Sequence, residues 1–225
     1  MAIYRLYPEA DTFITSFKSE SNAGLDEIVE IGSFPNKTIL GETSRILVKF
    51  KDTEIQSTLN NIVDSSFSAS LNYSIADATE LAESISLYAW PLAESFTKGV
   101  GKINDTPVDR SGATWKHRDK NRSNAWQLSV LATNTTGSYS GSLIGGGAWF
   151  TGSNSIDLEA TSSITSVDKK DLDINVTEAV KLHFSSSITN NGFIIKLDDS
   201  LEFSTTSSLK LKYFSKNTNP IYRPY

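Results

Sequence analysis

Asp171-Leu172-Asp173-Ile174-Asn175-Val176 alternates polar and apolar side chains without a break. Successive side chains of an extended strand point to opposite faces, so Leu172, Ile174 and Val176 fall on a core while their neighbours meet water. Leu209-Lys210-Leu211-Lys212-Tyr213-Phe214 repeats that period near the end of the chain. Working outward, Asn190-Asn191-Gly192 is a turn signal that releases the apolar run Phe193-Ile194-Ile195-Lys196-Leu197. Toward the other end come residues 85–90 (ISLYAW), 67–75 (FSASLNYSI) and 44–50 (SRILVKF), the last reading as a buried strand. Glu27-Ile28-Val29-Glu30-Ile31-Gly32, residues 11–17 (DTFITSF) and Ile3-Tyr4-Arg5-Leu6-Tyr7 complete the series. About ten short strands result, and only two short helices interrupt them. Asp52 caps one helix, with Ile55 and Leu59 at the i, i+4 spacing; Thr177 caps the other, with Val180 and Phe184 so spaced.

This pattern predicts an all-β fold, an antiparallel jelly-roll-like β-sandwich with one or two short helices. Residues 76–82 read as an acidic loop or single turn, and 91–126 as a long ordered loop packed on the sandwich with Trp115 and Trp126. A single domain over residues 1–215 and an extended arm over 216–225 account for all 225 residues. Composition agrees: 33 Ser and 21 Thr favour pleated surfaces and turns over helices.

Charge and chemistry narrow the function classes. Lys plus Arg is 21 against 26 Asp plus Glu, a net charge of −5, whereas nucleic-acid binders carry basic patches; no nucleic acid is expected. The chain has no Cys, which excludes disulfides, thiolate nucleophiles and cysteine metal sites. No signal-peptide core opens it and no run of about 18 apolar residues crosses it, so the expectation is a soluble, cytoplasmically made protein without membrane contact.

Catalytic motifs are sparse. His183 reads as structural beside Phe184, and His117 as solvated in a charged loop; without Cys or H-E-x-x-H, zinc is not expected. Gly137-Ser138-Tyr139-Ser140-Gly141 misplaces the serine of a nucleophile elbow, and Gly145-Gly146-Gly147 lacks the Lys-Ser/Thr of a phosphate loop. Glu94, Asp105 and Asp109 share the tryptophan-bearing loop and would suffice for glycoside hydrolysis, though acidic loop residues are commonly just solvated. A structural calcium ion is open to Asp171 with Asp173, or to Asp11 beside the Asn22-Ala23-Gly24 turn, although no D-x-D-x-D-G loop is present. Sequons at Asn36, Asn72, Asn104, Asn121, Asn134 and Asn175 follow from the hydroxyl-rich composition.

Taken in order, Ala10-Asp11-Thr12-Phe13, Asn22-Ala23-Gly24, Ser44-Arg45-Ile46-Leu47-Val48-Lys49-Phe50, Leu87-Tyr88-Ala89-Trp90, Gly112-Ala113-Thr114-Trp115, Trp126, residues 171–177 and Asn191-Gly192-Phe193-Ile194-Ile195-Lys196 resemble the DNRLRE-type (disaggregatase-related) jelly-roll domain. That domain is similar to carbohydrate-binding modules. Residues 214–224 (FSKNTNPIYRP) look like the version found in structural proteins of contractile-tailed bacteriophages, including cyanophages. The name-giving hexapeptide is missing, and the relatives' further strand after the last proline would here be absent or completed by a neighbour.

The resemblance implies a non-enzymatic virion component: a capsid decoration, neck, collar, tail or fibre-associated subunit, synthesised in the host cytoplasm and oligomeric among other virion proteins. Trp115, Trp126, Tyr222, Arg223 and Tyr225 are the expected partner-binding residues, since aromatic and Arg side chains favour interface hot spots. A tail packed on its own domain is an equal reading of the arm. The alternatives are a carbohydrate-binding module that stacks host-surface glycan on Trp115 or Trp126, and a polysaccharide-degrading enzyme.

Overall fold

A computed structural model describes residues 3–35, 41–62, 66–79, 84–109, 111–126, 135–136, 145–150, 152–153, 156–165, 171–202, 204–206 and 208–225. The expected features at Asn36, Asn134 and residues 137–141 lie outside them.

Ten principal strands form an antiparallel β-sandwich: β1 (Ala10–Thr15), β2 (Ile28–Phe34), β3 (Glu42–Lys49), β4 (Ser70–Tyr73), β5 (Ile75–Thr79), β6 (Ser84–Pro91), β7 (Ala160–Thr165), β8 (Leu172–Asn175), β9 (Phe193–Leu197) and β10 (Leu209–Phe214). Two short helices, α1 (Asp52–Asn60) and α2 (Thr177–Phe184), accompany them. The main sheet has eight strands in the order β7-β6-β9-β3-β2-β10-β5, with β1 on β3. Ser44 pairs with Thr15 on one side and Gly32 on the other, while Ile46 faces both Phe13 and Ile195. Strands β2 and β9 therefore share one edge of β3 at successive positions, so the sheet divides and curls there.

One face of this sheet is apolar. Phe13, Val29, Ile31, Ile46, Val48, Leu87, Ile195, Leu211 and Tyr213 meet Leu71 and Tyr73 of β4 and Leu172 and Ile174 of β8 in one core. The β4–β8 pair is the second layer, and its buried-exposed alternation is the one legible at residues 171–176. Burial of such side chains stabilises by roughly 1.5–3 kcal/mol each.

Three local expectations are revised. Residues 67–75 are not one strand: the chain changes sheets at Ser74, β4 joining the second layer and β5 pairing with β10, so residues 76–79 are strand where a loop was expected. Residues 3–7 alternate in sequence but form no strand. Neither expected cap serves its helix. Lys51 and Val176 occupy the cap positions, Asp52 accepts a hydrogen bond from Asn190, and the Thr177 hydroxyl accepts one from the Ala69 amide. Among the described residues no helix is long and apolar enough to cross a membrane.

Candidate functional site

The opposite face of the main sheet carries different chemistry. Register places Thr12, Ile14, Arg45, Leu47, Ile194 and Lys196 there, since each stands across a strand pair from another of the set or shares its parity. Above them lies the loop layer that links β6 to β7, with Leu92, Ala113, Trp115, Trp126 and Trp149 packed on Ile14, Leu47 and Ile194. The described residues of the 91–126 loop are thus docked on the sandwich.

Buried charge sits at the centre of this face. The Arg45 guanidinium donates to both Glu202 carboxylate oxygens, at 2.8 and 2.7 Å, and to the Gly146 carbonyl at 2.6 Å. It also lies over the rings of Trp115 and Trp149, at 5.0 and 5.3 Å. Lys196 donates to Glu202 at 3.2 Å and contacts Asp199. All three central groups are buried, so the network compensates the desolvation of its own charges. Gly146 has φ +90°, and a Cβ there would stand 2.8 Å from both the Arg45 guanidinium and the Trp115 ring.

A second centre ties the loops to one another. Asn22, itself buried, donates to the carbonyls of Lys98 and Ala113, both at 2.8 Å. Its side-chain oxygen accepts from the amides of Gly24 and Gly101, at 3.0 and 2.9 Å. Four loop groups are thereby satisfied by one amide. The loops cross closely: Gly112, at φ +66°, would bring a Cβ within 2.4 Å of the Gly99 Cα.

The residues expected to bind partners divide between core and surface. Trp115 is 1% exposed and Trp126 2%, and the Trp126 indole donates to the Thr114 carbonyl at 3.0 Å. Neither ring presents a face to a partner or a sugar; both are pillars beneath the loop layer. The arm packs on its own domain. Lys216 donates its amide to Asp11, and Asn217 donates to the carbonyls of Gly24 and Asp26. Tyr225 exchanges two backbone hydrogen bonds with Asn72 on the outer edge of β4. Arg5 lies over the Tyr225 ring at 4.6 Å, Tyr222 stacks on Phe214 with centroids 4.7 Å apart, and the Arg223 side chain reaches the Thr218 carbonyl. Tyr222 nonetheless remains exposed next to Ile221.

The acidic candidates close turns. Glu94 faces Arg118 at 3.9 Å, Asp105 accepts from the Lys102 amide, and Asp109 accepts from the Ser111 amide and hydroxyl. Those two Ser111 bonds hold the Asp109 carboxyl below its usual range. Among the described residues, no three His, Cys, Asp or Glu side chains gather as a metal site. Asp171 accepts from the Ile75 amide, which pins the change of sheets, and Asp173 stands exposed across from Asn72. Asp11 is buried with Lys98 and Lys216 near it, cations in place of fellow ligands; burial pushes its carboxyl up to about 6. His183 packs edge-on against Phe193, and burial lowers its imidazole to about 4. His117 is half-buried, on a short strand opposite Ala125.

The Arg45–Glu202–Lys196 network escaped the sequence reading, although a partial signal existed: Lys196 is the one charge within Phe193–Leu197, and Arg45 directly precedes the apolar run Ile46-Leu47-Val48. The reach of Asn22 had no such signal, because its acceptors lie 76 and 91 residues away. Compared with known proteins, the chain matches no family model and no curated protein.

Proposed function

We propose that this chain is a non-enzymatic structural subunit of a tailed bacteriophage virion, acting through protein–protein contacts as a capsid decoration, neck, collar, tail or fibre-associated component. The observation that carries the reading is a set of three exposed apolar side chains on braced loops. Leu25, Val100 and Val108 are 40%, 63% and 46% exposed, on segments that Asn22 and its glycines hold together. Leu25 bonds to the Gly101 carbonyl, and Val100 to the Ser111 hydroxyl beside Asp109. Exposed apolar side chains on a pre-ordered surface suit durable contacts, since little conformational entropy is lost on docking. The engagement of Glu94, Asp105 and Asp109 in turns and an ion pair is consistent with a scaffold role. So is the likeness of residues 214–224 to the version of the DNRLRE-type domain found in phage structural proteins.

Mass spectrometry and immunogold microscopy of purified virions test the proposal. The chain is expected in the particle, and a folded Val100→Glu, Val108→Glu double variant is expected to be left out of it. Absence of the wild-type chain from particles would falsify the reading. So would a polysaccharide-cleaving activity that Glu94→Gln, Asp105→Asn or Asp109→Asn abolishes.

A further inference from the structure

A groove of about 650 Å³ opens on the side of the sandwich away from the loop layer. Ile55 and Leu59 of α1, Val180 of α2, and Phe67 and Leu71 around β4 form its walls. None of its nineteen described lining residues has a charged side chain. Left to water, such a wall is unfavourable, and an ion placed there would lose its hydration without a partner.

The N-terminal segment borders this groove. Ile3, Tyr4 and Leu6 form part of the rim, yet Ile3 is 76% exposed and Tyr4 56%. Among the described residues no backbone hydrogen bond ties residues 3–8 to the fold; the first is from the Glu9 amide to the Lys49 carbonyl. Arg5, between the exposed side chains and Leu6, lies over the Tyr225 ring. An apolar projection and a recess whose described side chains are uncharged thus lie side by side on one surface.

That adjacency is what a two-fold contact requires, because each copy must present both halves of the contact to the other. We propose that a second copy of this chain docks here, with Ile3 and Tyr4 of each protomer seated in the groove of its partner. Charge favours this face for self-association. Each copy carries a net charge of −5, so acidic surfaces repel in general, whereas the described lining of the groove brings no acidic side chain to face the partner's acids. The inference deepens the assembly reading and relies on it only for biological setting; the contact itself needs nothing but this chain.

Sedimentation equilibrium of the purified full-length chain provides the test, alongside Ile3→Lys and Thr58→Lys. The first variant charges the projection, and the second charges a groove residue on the last turn of α1, where a cation suits the helix. A concentration-dependent dimer is expected, weakened roughly tenfold or more in each variant, because an uncompensated charge would be buried. Ile3 is exposed in the monomer, so its variant keeps the monomer's unfolding midpoint. A monomer at every concentration overturns the proposal, as does a dimer indifferent to Ile3→Lys. Native mass spectra showing a monomer with an apolar small molecule bound also overturn it, in favour of a ligand pocket. None of these outcomes removes the particle-assembly reading, which the virion measurements decide separately.

Discussion

The two faces of the main sheet are built on alternate residues of the same strands and are stabilised by different physics. On one, Ile46 and Ile195 enter an apolar core closed by β4 and β8. On the other, Arg45 and Lys196 enter a charged network roofed by tryptophans and glycine loops. The first face tolerates any close-packed apolar set of similar volume, whereas the second depends on particular pairings, since each buried charge needs its partner. Loss of Arg45 should therefore exceed loss of its neighbour. Arg45→Ala is expected to cost about 3–5 kcal/mol, by leaving Glu202 and Lys196 an incomplete network beneath two tryptophans. Ile46→Ala is expected near the lower part of the usual 2–5 kcal/mol for a buried aliphatic truncation. Urea midpoints of both variants measure the contrast, and equal losses would show that the charged face is ordinary packing.

Asn22 supports the roof of that second face without touching the sheet's charges. Asn22→Asp keeps the shape and the two acceptor bonds to Gly24 and Gly101, but it replaces the donor aimed at the Lys98 and Ala113 carbonyls with an oxygen. A loss of about 2–3 kcal/mol is expected, because a buried and a part-buried carbonyl lose their donor and face a like partial charge. Cleavage by protease within residues 93–126 should rise faster than global unfolding allows. If cleavage tracked global stability alone, the loops would be held by their tryptophans and not by the amide.

These two faces were unequally legible. Period-two alternation at residues 171–176 and 209–214 placed the apolar face, because it depends only on which side chains avoid water. Period alone could not show that residues 67–75 change sheets at Ser74, a choice made by tertiary partners: Leu172 and Ile174 for β4, Leu211 and Lys212 for β5. Nor could it assign residues 3–7, whose strand-like pattern pairs with no strand. At the candidate site, the Asn22-Ala23-Gly24 turn was visible but its distant acceptors were not. Trp115 and Trp126 suit a partner contact by residue type, but their size suits them equally to the core they fill.

The apolar face holds two titratable groups whose effects oppose each other. His183 has its folded pKa lowered to about 4 from 6.5, so its contribution is present above pH 6.5 and is lost as pH falls toward 4. Asp11 has its folded pKa raised to about 6 from 3.8, so its contribution is present below pH 3.8 and is lost as pH rises through 6. Around Asp11 stand Lys98 and Lys216; around His183 stands Asp52. Each shift corresponds to about 3 kcal/mol, so between pH 4 and 6 their slopes largely cancel. His183→Phe should unmask a stability that falls with rising pH, and Asp11→Asn one that climbs with it. Denaturant titrations at several pH values check both signs, and parallel curves for the two variants would sink the pairing.

The smallest effect belongs to the solvent rim of the loop layer. Lys120 and Lys116 hold the Glu20 carboxyl down to about 2, so its contribution is present above pH 4.5 and is lost as pH falls toward 2. Glu20 is nearly half exposed, and water and salt screen its pairs with both lysines. The backbone already docks this corner, through the Lys116 amide on the Ser19 carbonyl and the Trp126 amide on the Lys116 carbonyl. Glu20→Gln should thus cost less than about 1 kcal/mol at neutral pH and less again in high salt. A loss near that of Arg45→Ala would place the strength of the charged face at its rim. A negligible one leaves it with the groups sealed under Trp115 and Trp149, where water cannot substitute for a missing partner.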